Sequence, residues 1–120
     1  MAIDRIVVAA LFGFLFAPGS VSAHAILTRS EPAAGSSVPL GKVIMSFRYN
    51  SRIDRTRSQL TLTRPDHSQA VLKINTDGPP DLLQTSADLT VPGAYVVRWQ
   101  VLALDGHITR GDVLFTATDR

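Results

Sequence analysis

Apolar and polar residues alternate along most of the chain after position 40, as is typical of half-buried β-strands. Six segments show this alternation or a less regular apolar stretch: 42–49, 59–63, 70–74, 82–89, 95–102 and 112–118. In the three clearest segments, the residues that share an apolar face are Val43, Met45, Phe47 and Tyr49; Tyr95, Val97, Trp99 and Val101; and Val113, Phe115 and Ala117. We expect these faces to form the core, with Trp99 packed inside it.

Turn-forming residues separate the apolar segments. Proline, glycine, serine and aspartate are concentrated at 31–37, 64–67, 77–80 and 92–93, and these residue types favour tight turns. No segment has the apolar stripe and caps of a helix. The pattern predicts an all-β fold: a small, Ig-like, Greek-key antiparallel β-sandwich or barrel of about seven strands.

Residues 1–23 have the features of a cleaved signal peptide. An eleven-residue apolar run covers 6–16, the breaker pair Pro18-Gly19 follows it, and the small residues Val21-Ser22-Ala23 come next. This order is that of a secretory signal. The run is too short for a membrane-spanning helix, which needs about 20 residues. We therefore expect cleavage after Ala23, and one exported domain over 24–120 without a spanning helix.

Composition excludes several kinds of function. The chain has no cysteine, which excludes thiolate metal sites, thiol catalysis and disulfides. The net charge is only +2. The basic residues are scattered except for Arg52, Arg55 and Arg57, which we interpret as a solvated loop whose role stays open. Because there is no basic stripe with stacking aromatics, we expect no nucleic-acid partner.

His24 becomes the first residue of the cleaved chain, and an N-terminal histidine is a metal chelator in its own right. Its α-amine and its ring Nδ1 can close a six-membered ring around one ion. Both kinds of group lose a proton at low cost near neutral pH, as ligation requires. Paired neutral nitrogens suit Cu(II), which prefers tetragonal nitrogen and oxygen ligands.

Asp105-Gly106-His107 is the second candidate ligand group, directly after the segment 95–102 and two further apolar residues. Residues i and i+2 of an extended segment point the same way, so Asp105 and His107 can present an oxygen and a nitrogen to one point. Taken alone, the motif also fits an Asp-Gly turn followed by a polar loop residue. Together with His24 it supplies three nitrogens and one oxygen. The third histidine, His67, is expected to be solvated in a hairpin turn.

At this point the chain resembles the CopC family of bacterial periplasmic copper-binding proteins. The segments that carry the resemblance are 23–25 around His24, 30–36, 92–99, and Asp105-Gly106-His107 followed by Gly111. The resemblance implies a small Greek-key sandwich exported to the periplasm, acting as a copper carrier or buffer. It implies a Cu(II) site of His24, Asp105 and His107, and it makes a CopD-type inner-membrane protein a candidate partner.

The chain departs from some family members in its methionine content. Soft thioethers suit Cu(I), and some members bind Cu(I) in a methionine-rich loop. Here residues 24–120 contain the single methionine Met45, on a predicted apolar face where it serves packing. We therefore expect binding of Cu(II) only. The segment 49–55 also differs from the more acidic, proline-containing stretch of many members.

Two alternatives to a copper-binding carrier stay open. The first is a copper-dependent redox enzyme with a histidine-brace-like site, but Asp105 would fill the position that oxygen needs, and the aromatic residues lie on apolar strand faces. The second is a metal-free structural sandwich, in which His24 is incidental and stability does not depend on copper. We expect a binding protein and not an enzyme.

Overall fold

The computed structural model describes residues 24–119, which form eight strands and no helix. The strands are β1 (Leu27–Glu31), β2 (Ser37–Pro39), β3 (Gly41–Tyr49), β4 (Ile53–Thr63), β5 (Gln69–Leu72), β6 (Leu82–Leu89), β7 (Gly93–Ala103) and β8 (Ile108–Thr118). A small sheet has the order β1-β3-β6, and a large sheet has the order β2-β8-β7-β4-β5. The predicted all-β sandwich is confirmed. The predicted signal peptide lies outside the described residues.

The first two strands are not marked by the sequence pattern. Both are short edge strands, and neither alternates apolar and polar residues: β1 has the sequence LTRSE and β2 has SVP. An edge strand needs few inward side chains, so alternation does not mark it. β2 also pairs with β8 in parallel, which makes it an exception to the predicted antiparallel pairing. The turn-rich segment between them carries the chain from the small sheet to the large one.

The predicted apolar faces form the core between the two sheets. The fully buried large side chains come from both sheets and include Met45, Phe47, Tyr49, Leu60, Leu62, Leu83, Tyr95, Val97 and Val101. Trp99 is buried as expected and meets Tyr49 edge-on, with 5.3 Å between the ring centroids. Met45 is 0% exposed. Its burial confirms the prediction that this methionine serves packing.

The arginine-rich segment belongs largely to strand β4, so the predicted solvated loop is wrong for part of it. Pairing of β4 with β7 holds at Asp54 and resumes only at Gln59. The intervening residues bulge out of the ladder, which removes the alternation by which a strand is recognised. Arg52 and Arg57 are exposed as expected for a solvated segment, although Arg57 lies within the strand.

Arg55 connects the two sheets. Its guanidinium donates hydrogen bonds to four backbone carbonyls in and just before β6: Thr76 (3.2 Å), Gly78 (2.8 Å), Pro79 and Leu82 (3.2 Å). A planar guanidinium with five N–H groups can satisfy several acceptors at once. Arg55 thereby fixes this connection, whose carbonyls in turn accept the N–H groups of Tyr49 and Ile53.

Arg55 is therefore expected to stabilise the fold, and its neighbour Arg57 is not. Arg55→Ala should lower the free energy of unfolding by about 1–3 kcal/mol, because charge-assisted hydrogen bonds to four carbonyls are lost. Arg57→Ala should change it by about 0.5 kcal/mol or less, since that side chain is 75% exposed and its Nε lies 3.8 Å from the Asp54 carboxylate. Urea denaturation of both variants measures the difference, and equal effects would contradict the role of Arg55.

Gly111 makes room for the indole of Trp99, its partner across the β7–β8 ladder. A Cβ at this position would lie 2.4 Å from Trp99 Cζ2. Gly111→Ala should therefore destabilise the fold by about 1–3 kcal/mol through overpacking. Trp99→Phe removes the part of the indole that would be hit, so Gly111→Ala should cost less in that background. Strict additivity of the two changes in a denaturation cycle would show that the contact is unimportant.

Candidate metal centre

The hairpin between β7 and β8 positions two of the three predicted ligands. The Ala103 N–H donates to the His107 carbonyl and the Gly106 N–H donates to the Ala103 carbonyl, each at 2.9 Å. Gly106 has φ 92°, in the left-handed region that favours glycine. A tight turn followed by a left-handed residue is a common way to close a short hairpin loop. The loop projects Asp105 and His107 from the end of the sandwich.

The Asp105 carboxylate contacts His107 twice. Its Oδ1 accepts the His107 backbone N–H at 3.0 Å, and its Oδ2 lies 2.9 Å from the His107 ring Nδ1. The backbone N–H and then the ring of His107 hold the pKa of the Asp105 carboxyl below its usual range. The expected proximity is therefore present, but its cause differs from the prediction. The two side chains meet through an aspartate turn and not through an extended strand.

His24 lies beside this hairpin although it is distant in sequence. Its ring centroid is 4.3 Å from that of His107, and the two ring planes are inclined at 46°. A charge on His24 also lowers the pKa of the Asp105 carboxyl, as the last of several causes. The structure thus brings together His24, Asp105 and His107, the three residues that the sequence predicts as ligands.

These side chains are close together without forming a finished cage. Over residues 24–119, no group of three or more His, Cys, Asp or Glu side chains is already arranged to hold a metal ion. Within the trio, the Asp105 Oδ2 and the His107 Nδ1 lie 2.9 Å apart, at hydrogen-bonding distance.

His67 is solvated in a hairpin turn, as predicted. It is exposed and has φ 72°. The turn lies between β4 and β5, beyond Thr63 at the far end of β4, whereas Ile53 at the near end pairs with Ala103 beside the candidate site. The structure therefore separates His67 from the other two histidines.

Two residues that the sequence did not single out hold the segment that carries His24. The Thr109 hydroxyl donates to the Ala25 carbonyl at 2.7 Å. The Asn50 side-chain oxygen accepts the Ile26 N–H at 2.8 Å, and the Asn50 N–H donates to the Ile26 carbonyl at 3.0 Å. Nothing in the sequence marks these contacts, because each polar residue stands alone and its partner is backbone from a distant segment.

The sequence profile of the CopC domain matches residues 27–118. The chain belongs to the CopC family. Among curated relatives, protein YobA of Escherichia coli strain K12 is 31% identical over 100 residues, which cover 81% of each chain. Within the part of this CopC-family chain that the structure describes, no helix is long and apolar enough to cross a membrane.

Two solved structures resemble the fold of this CopC-family chain. CopC from Methylosinus trichosporium OB3b aligns with a TM-score of 0.70 at 24% identity, covering 78% of this chain and 93% of that one. PcoC, a methionine-rich copper resistance protein from Escherichia coli, aligns with a TM-score of 0.65 at 24% identity, covering 80% of this chain and 100% of its own. At this identity the likeness establishes the shared fold.

Proposed function

We propose that this protein is exported, cleaved after Ala23, and acts in the periplasm as a Cu(II) carrier or buffer in copper homeostasis or resistance. The observation that carries the proposal is the position of the His24 ring, 4.3 Å from the ring of His107, which itself contacts Asp105. Membership of the CopC family supports copper as the cargo, as does the copper-resistance role given to the structural relative PcoC.

The ligand set fits Cu(II). Cleavage after Ala23 would expose the amine of His24, so the amine, two imidazoles and the Asp105 carboxylate supply three nitrogens and one oxygen. Cu(II) favours such a tetragonal set. The site is partly exposed, with the His107 side chain 58% and the Asp105 side chain 27% accessible. An exposed site suits an ion that must be both captured and released.

The same chain offers little to Cu(I). Met45, the one methionine of the described residues, is fully buried in the core, so its thioether does not reach the candidate site. PcoC, by contrast, is described as methionine-rich. Four protein ligands around Cu(II) would also leave no equatorial position for oxygen, which favours a carrier over a redox enzyme. A CopD-type membrane protein is the proposed recipient.

The α-amine of His24 can be tested as a ligand with a minimal change. The chain that begins at His24 should bind one Cu(II) with a nitrogen-rich tetragonal EPR signal. A chain that keeps Ala23 retains every side chain but converts the amine into an amide, so its affinity should fall by roughly two orders of magnitude. Competition titration measures both affinities. Equal binding by the two chains would exclude the amine as a ligand.

Side-chain ligands can be tested against a matched histidine. His107→Ala should weaken Cu(II) binding by roughly two orders of magnitude and alter the EPR signal, because one nitrogen is lost. His67→Ala should change neither, since His67 lies at the other end of β4. Asp105→Asn keeps a turn-forming side chain but removes the anionic oxygen, so it should weaken binding as well. Loss of binding in the His67 variant would contradict the proposed site.

A further inference from the structure

The N-terminal arm, residues 24–26, lies outside the strands and is fastened by two residues from different sheets. Asn50, directly after β3 in the small sheet, contacts both backbone groups of Ile26. Its side-chain oxygen accepts the Ile26 N–H at 2.8 Å, and its own N–H donates to the Ile26 carbonyl at 3.0 Å. These two bonds extend the β1–β3 pairing, which ends at Leu27, by one residue toward His24.

Thr109 fastens the arm to the strand that follows the candidate metal-binding hairpin. Its hydroxyl donates to the Ala25 carbonyl at 2.7 Å, and Thr109 stands two residues after His107. The Ala25 side chain is 1% exposed and belongs to the core. His24 therefore directly precedes two residues, Ala25 and Ile26, whose backbone groups are both held by hydrogen bonds.

We infer that Asn50 and Thr109 are positioning residues, which hold His24 beside His107 before any metal arrives. The expected effect on Cu(II) affinity rests on the proposed function, whereas the position of the His24 ring does not. A chain terminus without such contacts frays. Metal binding would then have to order the arm, and the lost conformational freedom would lower the affinity for the ion. Ligand groups that are already held in place avoid this cost.

Variants at each anchor remove its side-chain hydrogen bond to the arm. Thr109→Val keeps the volume but removes the donor, and Thr109→Ser keeps the donor. Asn50→Ala removes the acceptor. Thr61→Val is the matched control, because Thr61 pairs with Arg98, five residues before Ala103 on β7, and so lies far from the arm. All four variants are compared with the unchanged protein in the chain that begins at His24.

Each protein is measured first without metal and then with Cu(II). NMR contacts between the rings of His24 and His107 and hydrogen exchange of the Ile26 amide are recorded without metal. Cu(II) affinity and the EPR signal are then measured, and thermal unfolding is followed as a check on folding. Thr109→Val and Asn50→Ala should weaken the ring contact and lower Cu(II) affinity by about tenfold each. Thr109→Ser and Thr61→Val should retain both the ring contact and the Cu(II) affinity.

The outcomes distinguish the two proposals. If the unchanged protein does not bind Cu(II), the proposed function fails, and the metal-free ring contact still decides whether the two anchors position His24. If it binds Cu(II), and the substitutions T109V and N50A preserve both ring contact and affinity, the positioning role is overturned while the proposed function stands. Equal losses in T109V and T109S would also overturn it, since the hydroxyl would then be irrelevant.

Discussion

The antiparallel ladder between β7 and β8 is the constraint on which both the core and the candidate site depend. It runs without a register shift from Gly93 opposite Ala117 to Leu102 opposite Ile108. Because the register is unbroken, the inward faces of both strands stay inward along their whole length, and they supply much of the core. The same register delivers the hairpin loop at a fixed place, directly beyond the last pair. Much of the core packing and the position of the hairpin loop therefore come from one set of backbone hydrogen bonds.

A single hairpin cannot complete the site, because His24 comes from a segment far away in the sequence. Its place beside His107 depends on contact between the two sheets, since the small sheet carries the arm and the large sheet carries the hairpin. Core packing of Ala25 brings the contributions of the two sheets together, and Thr109 joins them by a hydrogen bond at the rim. A metal site shared between chain segments of such long separation forms only in the folded protein.

The sequence alone predicts a strand wherever apolar and polar residues alternate over several positions. Strands β3, β7 and β8 are predictable from alternation, because burial on one face imposes a period of two on every inward residue. Alternation does not predict the bulge after Asp54 or the edge strands β1 and β2, since neither a bulge nor an edge strand keeps that period. The residues of the candidate site are found through their chemistry, but the contacts of Asn50 and Thr109 depend on how distant segments meet. A linear pattern contains no signal for such contacts.

Two hairpin turns of the large sheet share the same aspartate contact but differ in the side chain that follows it. The turn after β4 repeats a contact of the turn after β7: Asp66 accepts the backbone N–H of Ser68 at 3.0 Å, as Asp105 accepts that of His107. Each aspartate also contacts the side chain of the same residue. Asp66 accepts the hydroxyl of Ser68, whereas Asp105 contacts the imidazole of His107. In both places the aspartate therefore stabilises the turn. What distinguishes the candidate site is the histidine two residues later, together with the arm that places a second histidine against it.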